Sequence, residues 1–343
     1  MAGAGRRILR KLFRALGFGV LGFLVLLAVA FVAAGPPVPL PATVTDDADL
    51  PRLEVAGVTL HARVEGPEDA PVIVVLHGGP GGDHRSLLPL AGLADAYRVV
   101  FYDQRGAGLS ERVPDAALTF EAHLDELDAL VDAVSPAAPV VLIGHSWGAI
   151  LATAYLGVAP RRVADAVLIE PGFLDAAGMA EWQARADELI GDMTRSVSGV
   201  WLVTKAVLQS LRLGGPDADG QGDYVTGRMV AAFANHPENP YHCPGAAYDA
   251  LSWRFGARSQ SAVPASAGPG ALDAIAAGAG GWDGRALFLT GACDDWIGAD
   301  LQRRHMTHFR DARLVDIADA GHDVVHDRPD AALAAIRAFL NGG

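Results

Sequence analysis

Val140–Ala149 reads VVLIGHSWGA, and the reading of the whole chain starts there. VVLI is a short, fully apolar, partly β-branched run, the signature of a strand buried on both faces. Gly144-His145-Ser146-Trp147-Gly148 follows, and Trp147–Val158 continues as a helix of small residues. A serine between two glycines, entering from a strand and leaving into a helix, predicts a tight turn that lifts its hydroxyl clear of the sheet. The glycines are needed because side chains at 144 and 148 would collide with neighbouring backbone. The turn also leaves the Trp147 N–H free at a helix N-terminus.

Apolar strands and helical runs alternate outward from this point. Leu53–Val55 and Val58–Val64 predict an opening hairpin through Gly57. Val72–Leu76, Val99–Tyr102, Ala166–Ile169, Ala286–Thr290 and Arg313–Ile317 read as further strands. Thr119 is placed to cap a helix through Val134, and Pro329–Leu340 closes the chain with proline in its first turn. Such alternation predicts a mostly parallel sheet flanked by helices. Pro171–Asp283 interrupts it with helix-like runs at Met179–Ile190, Val197–Leu211 and Tyr224–Asn235. An insertion there belongs over the carboxyl edge of the sheet, where open α/β sheets bind ligands, so residues 172–283 are expected to form a largely helical cap. The Gly/Ala/Ser-rich stretch Ser261–Gly281 reads as a loose loop within it.

A serine hydroxyl needs a base, and the base needs an orienting carboxylate. On an elbow of this kind the acid and then the histidine follow in chain order. Asp294 after the strand ALFLT, and His322 after RLVDI, stand where strands reach the carboxyl edge. Asp295 is the alternative acid and His326 the weaker alternative base. His305 and His308 fall in a helical run and are expected on the surface; His145 is expected to pack or hydrogen-bond. His77-Gly78-Gly79-Pro80-Gly81-Gly82 follows the strand VIVVL. Its Gly79 N–H is the candidate partner of the Trp147 N–H in an oxyanion hole. The glycine run lacks the Gly-Lys-Ser/Thr ending of a phosphate loop. No metal or organic cofactor is called for by this set.

Three motifs together carry a family likeness. HGGPGG (77–82), DQRGAGLS (103–110) and GHSWGA (144–149) resemble those of the proline iminopeptidases, a branch of the α/β-hydrolases. The resemblance covers about 53–172 and 284–343. It implies an α/β-hydrolase fold, a Ser146–Asp294–His322 triad, Gly79 and Trp147 as oxyanion donors, and removal of N-terminal residues from short peptides. Asp103, Gln104 and Arg105 match a loop taken to be structural, beside the site. Two departures stand out. His145 replaces the usual glycine of the elbow, and no tryptophan–glutamate signature in the cap marks a carboxylate for the substrate's amine. Glu181, Glu188 and Glu238 are the acids available. An ester hydrolase with the same triad is the first alternative, and a non-catalytic binding protein of the same fold the remote one.

The chain has 343 residues and a formal net charge of −13. Five basic residues (Arg6, Arg7, Arg10, Lys11, Arg14) and no acid precede Asp46, so the rest carries about −18 by count, which disfavours nucleic acid as a partner. Ala15–Ala34 is an uncharged run of 20 residues, long enough to cross a bilayer core of about 30 Å. The preceding basic cluster places residues 1–14 in the cytoplasm and the body outside it. A signal peptide cleaved near Val32-Ala33-Ala34 is the rival reading. Residues 36–49, proline-rich and then acidic, are expected to be a stiff spacer between the segment at 15–35 and a domain at 50–343. The only cysteines, Cys243 in the cap and Cys293 beside the proposed acid, could pair in an oxidising compartment.

Overall fold

The computed structural model describes residues 2–214, 217–249 and 251–342, without the side chains of residues 2–10, 12, 192–194 and 269. Helix α1 (Ala2–Ala34) precedes strands β1 (Arg52–Val55), β2 (Val58–Glu65), β3 (Val72–Leu76) and β4 (Arg98–Tyr102). Then come α2 (Phe120–Val134), β5 (Val140–His145), α3 (Trp147–Val158) and β6 (Val163–Ile169). Five helices follow: α4 (Ala176–Arg195), α5 (Val197–Ser210), α6 (Gly220–Ala234), α7 (Ala257–Ser266) and α8 (Pro269–Gly281). The chain ends with β7 (Arg285–Gly291), α9 (Ala299–Met306), β8 (Asp311–Ile317), α10 (Val324–Asp327) and α11 (Pro329–Leu340).

The strands form one sheet in the order β1-β2-β4-β3-β5-β6-β7-β8. β2 pairs antiparallel with β1 and β4, and the other pairings are parallel. Both faces are covered, which is why the central strand β3 is apolar at every position. Alternate residues divide between two cores: Val72, Val74 and Leu76 face one with Leu130, Leu151 and Tyr155. Ile73 and Val75 face the other with Leu90, Phe101, Ile336 and Phe339. The register aligns His145 with Ile169, and Ile169 with Leu289. The residues that follow β5, β6 and β7 therefore emerge side by side at one edge. Thr119 caps α2 as expected, its Oγ1 accepting from the Ala122 N–H at 3.1 Å.

Two expectations are corrected. Ser261–Gly281 is not a loose loop: it supplies most of α7 and all of α8. Leu272, Ile275 and Ala279 form the buried stripe of α8. Its small residues serve close packing on α3, since a Cβ at Gly157 would stand 2.6 Å from the Gly278 Cα. α8 thus belongs to the helical layer of the sheet, and the cap proper ends before it. Nor is the proline-rich segment a free spacer. Gln209 Nε2 donates to the Ala34 and Pro36 carbonyls at 2.9 Å, the Val38 N–H to Tyr224 Oη at 3.2 Å, and Arg254 Nη1 to Pro41 O at 3.1 Å. Thr43 and Val44 are buried. Proline removes N–H donors but leaves carbonyls, and cap side chains take those carbonyls.

Candidate active site

Ser146 stands between β5 and α3 with φ +53° and ψ −117°, a conformation that costs a non-glycine residue about 1–3 kcal/mol. It is held there by its N–H, which donates to Ile169 O at 2.8 Å, and by its carbonyl, which accepts from Ala149 and Ile150. A Cβ at Gly144 would run into the Gly148 carbonyl, and one at Gly148 into that of Leu76. The glycine loop passes directly over Ser146: a Cβ on Gly78 would stand 3.1 Å from that of the serine. Gln104 staples loop to elbow. Its N–H donates to His77 Nε2 at 2.9 Å, its Nε2 to His77 O at 3.0 Å, and its Oε1 accepts from Trp147 Nε1 at 3.0 Å. His77 therefore carries its proton on Nδ1, and burial lowers its pKa to about 4. Among the described residues, the Gly79 and Trp147 N–H groups meet no acceptor.

His322 is brought to the same edge by the loop after β8. Its N–H donates to Tyr241 O at 2.7 Å, and its carbonyl accepts from His145 Nε2 at 2.9 Å. The imidazole lies between the rings of Tyr241 (centroids 4.6 Å, 18°) and His145 (4.5 Å, 43°). His145 thus packs and hydrogen-bonds, and burial, with His322 alongside, holds its pKa well below the usual imidazole value.

Two carboxyl groups, not one, face His322 Nδ1. Glu170 Oε2 lies at 3.0 Å and Asp294 Oδ2 at 3.6 Å. Glu170, directly after β6 with φ +46°, is buried and accepts the Gly291 N–H through Oε1 at 2.8 Å. Asp294 Oδ1 accepts the Trp296 and Ile297 N–H groups, both at 2.8 Å, while its buried Oδ2 has no hydrogen-bond partner among the described residues. Burial, then the charge of Glu170, pushes Asp294 up to about 8. Burial likewise holds Glu170 well above the usual carboxyl range, against the Gly291 N–H. Both shifts favour a proton on the pair, and one shared between the two carboxyl groups satisfies the orphaned Asp294 oxygen.

Sequence reasoning missed Glu170, although a signal was present. It is an acid at the carboxyl end of the strand AVLI, one residue before the stretch set aside as cap. The alternative acid Asp295 is exposed. His326 lies in α10 against Asp327 at 3.5 Å, away from the elbow. His305 corrects the surface assignment: it is buried, bonded to Gln302 Oε1, and burial lowers its pKa to about 3. Asp103 is structural. Burial would raise its pKa, but contacts at 2.7 Å to His84 Nδ1 and His61 Nδ1 hold it below the usual carboxylate range. Arg105 is paired with buried Glu126 at 3.0 Å.

The cap reaches the site at three places. Cys243 and Cys293 form a disulfide that ties it to the acid loop. Asp83 Oδ2, beside the glycine loop, accepts the N–H groups of Trp253 and Arg254 at 2.6 and 3.0 Å. Trp182, Trp296 and Tyr241 stack in sequence, at 5.4 and 4.6 Å, onto the face of His322. Glu181, Glu188 and Glu238 all lie exposed, and Glu181 is turned toward Arg304.

This sheet order, elbow and edge geometry are those of the α/β-hydrolases, and a family model described as the alpha/beta hydrolase fold matches residues 71–202. Within that class the chain is similar, over part of its length, to proline iminopeptidases. It is 46% identical over 85 residues to a proline iminopeptidase of Saccharolobus solfataricus, covering 24% of this chain and 27% of that protein. It is 39% identical over 106 residues to one from Pestalotiopsis fici, covering 30% and 37%. These matches thus span only 27% and 37% of the two relatives' own length. In three dimensions the chain resembles a proline iminopeptidase of Mycobacterium smegmatis (TM-score 0.57, 19% identity, 86% of this chain and 98% of that one). It is equally close to a thermophilic esterase of Thermogutta terrifontis (0.56, 22%, 86% and 98%). At such identities the likeness is one of fold.

Proposed function

We propose that the chain is a serine hydrolase working through an acyl-enzyme, and that it acts as a proline iminopeptidase-like aminopeptidase on short peptides. The reading rests on a strained serine elbow beneath unengaged N–H groups, beside a histidine whose Nδ1 faces carboxylates at 3.0 and 3.6 Å. Ser146 Oγ attacks the carbonyl and His322 takes its proton at Nε2. The carboxyl pair holds the Nδ1–H tautomer and stabilises the imidazolium. The Gly79 and Trp147 N–H groups receive the oxyanion, His322 returns the proton to the leaving group, and water repeats the sequence to release the acid.

The exposed positions of Glu181, Glu188 and Glu238 favour a second reading, a carboxylic ester hydrolase with the same machinery. Turnover of prolyl- and alanyl-anilides and short acyl esters, with Ser146→Ala as control, separates the two. Cleavage of anilides only when the amine is free establishes the aminopeptidase, and ester turnover alone establishes the esterase. Activity unchanged in Ser146→Ala would refute both.

The same proposal places α1 in a membrane with the catalytic domain on the extracytoplasmic side. Phe13–Ala34 is a 22-residue apolar span with none of its most apolar window buried. The basic cluster lies before it and the disulfide after it. N-terminal sequencing of the mature chain distinguishes the retained anchor from a cleaved signal.

A further inference from the structure

The cap carries an apolar stripe that the hydrolase reading leaves unused. On α5, Val197, Val200, Trp201 and Val207 are exposed, and Leu211 continues the row just beyond its end. At 3.6 residues per turn they fall on one side of the helix, which also carries the buried Leu208. The opposite side, with Gly199, Ala206, Gln209 and Ser210, is buried against the cap. Within α5 the only charged residue is Lys205, whereas the body of the protein is strongly acidic. An exposed side rich in valine and leucine, with one tryptophan and one lysine, fits the boundary between headgroups and acyl chains.

The position of α5 singles out the occupant. Its C-terminal end packs on the end of α1. Arg212, just past α5, donates to the Phe31 and Gly35 carbonyls and lies 3.7 Å over the Phe31 ring, while Gln209 binds the Ala34 and Pro36 carbonyls. The exposed apolar surface of α1, including Val29 and Val32, thus runs directly into that of α5. The proline-rich segment is docked on the cap, which keeps the domain close to the end of α1.

We infer that α5 is a second membrane contact, seated at the bilayer interface beside the anchor and turning the cap toward the lipid. This rests on the reading of α1 as a retained anchor. The segment leaving α1 also lines a cavity of about 290 Å³ in the cap, between Val38–Pro41 and α6 residues such as Tyr224. Val38 is four residues beyond Ala34, so the rim of that cavity lies within about 15 Å of the end of the membrane helix.

The test uses the full chain in phosphatidylcholine vesicles, with and without bromine on the upper acyl chain. Brominated lipid quenches tryptophans at the interface. The wild-type chain is expected to lose emission, and Trp201→Phe, or the double variant Val200→Asn with Val207→Asn, to lose distinctly less of it. Flotation after alkaline washing is measured in parallel. A chain that floats but is quenched equally with and without Trp201 overturns the surface and leaves the anchor standing. A chain that washes off overturns both. Floating, unquenched chains that cross-link to each other through position 201 would assign the stripe to a second copy instead.

Discussion

The carboxyl pair at His322 gives the sharpest test of the chemistry. At an effective dielectric constant of about 20, a unit charge at 3.0 Å from Nδ1 stabilises an imidazolium by about 5.5 kcal/mol, and one at 3.6 Å by about 4.6 kcal/mol. The difference of about 0.9 kcal/mol is a factor of about five in rate. Glu170→Gln removes the nearer oxygen and, with it, the charge that adds to burial in raising the Asp294 pKa, so Asp294 is left to face the imidazolium at the longer distance. A loss of about 5- to 10-fold in kcat is expected. Asp294→Asn leaves Glu170 in place, bonded to the Gly291 N–H, and should cost less than about 5-fold. The double variant leaves no anion at Nδ1 and is expected to lose about 10³- to 10⁴-fold, far more than the product of the singles. The assay is single-turnover acylation by a reactive ester, with folding checked by circular dichroism. A loss of 10³-fold or more in either single variant would show that one carboxylate acts alone and refute the pairing.

Other consequences can be measured independently. Asp294 binds its proton more tightly folded than unfolded, so its contribution to stability is complete below about pH 4 and is lost as pH rises toward about 8. The thermal midpoint of the wild type should therefore drop between pH 5 and 8 more than that of Asp294→Asn, and equal drops would contradict it. Ser146→Gly should abolish turnover yet raise stability by about 1 kcal/mol, because glycine accepts φ +53° without strain; an unchanged or lower denaturation midpoint would deny that the elbow stores strain. Reduction, or Cys243→Ser with Cys293→Ser, opens a closure of 50 residues and should cost up to about 4 kcal/mol, read from the shift in urea midpoint. Asp223→Asn leaves Arg112 and Arg254 short of a buried partner and should destabilise the cap by about 3–5 kcal/mol, seen as faster proteolysis of α6 and α7.

Much of this protein is legible along the chain because the deciding physics is local. The elbow shows in Val140–Gly148, since only glycines fit beside a serine turned back between strand and helix. Apolar runs such as VIVVL and VVLI announce strands covered on both faces, and Thr119 and Pro329 announce helix starts through their own backbone chemistry. The uncharged run from Ala15 to Ala34 is equally plain. Tertiary structure decided what depends on juxtaposition. Glu170 lies 152 residues from His322 in sequence, and only the parallel register of β5, β6 and β7 brings it closer to Nδ1 than Asp294. The small residues of Ser261–Gly281 look like a flexible loop until Gly157 faces Gly278 across two packed helices. His305 looks like a surface residue until its helix buries it, and Gly35–Val44 looks like a spacer until Gln209, Tyr224 and Arg254 take up its backbone. Composition and periodicity report which groups must leave water, whereas which partner each one meets is set only when distant segments close on one another.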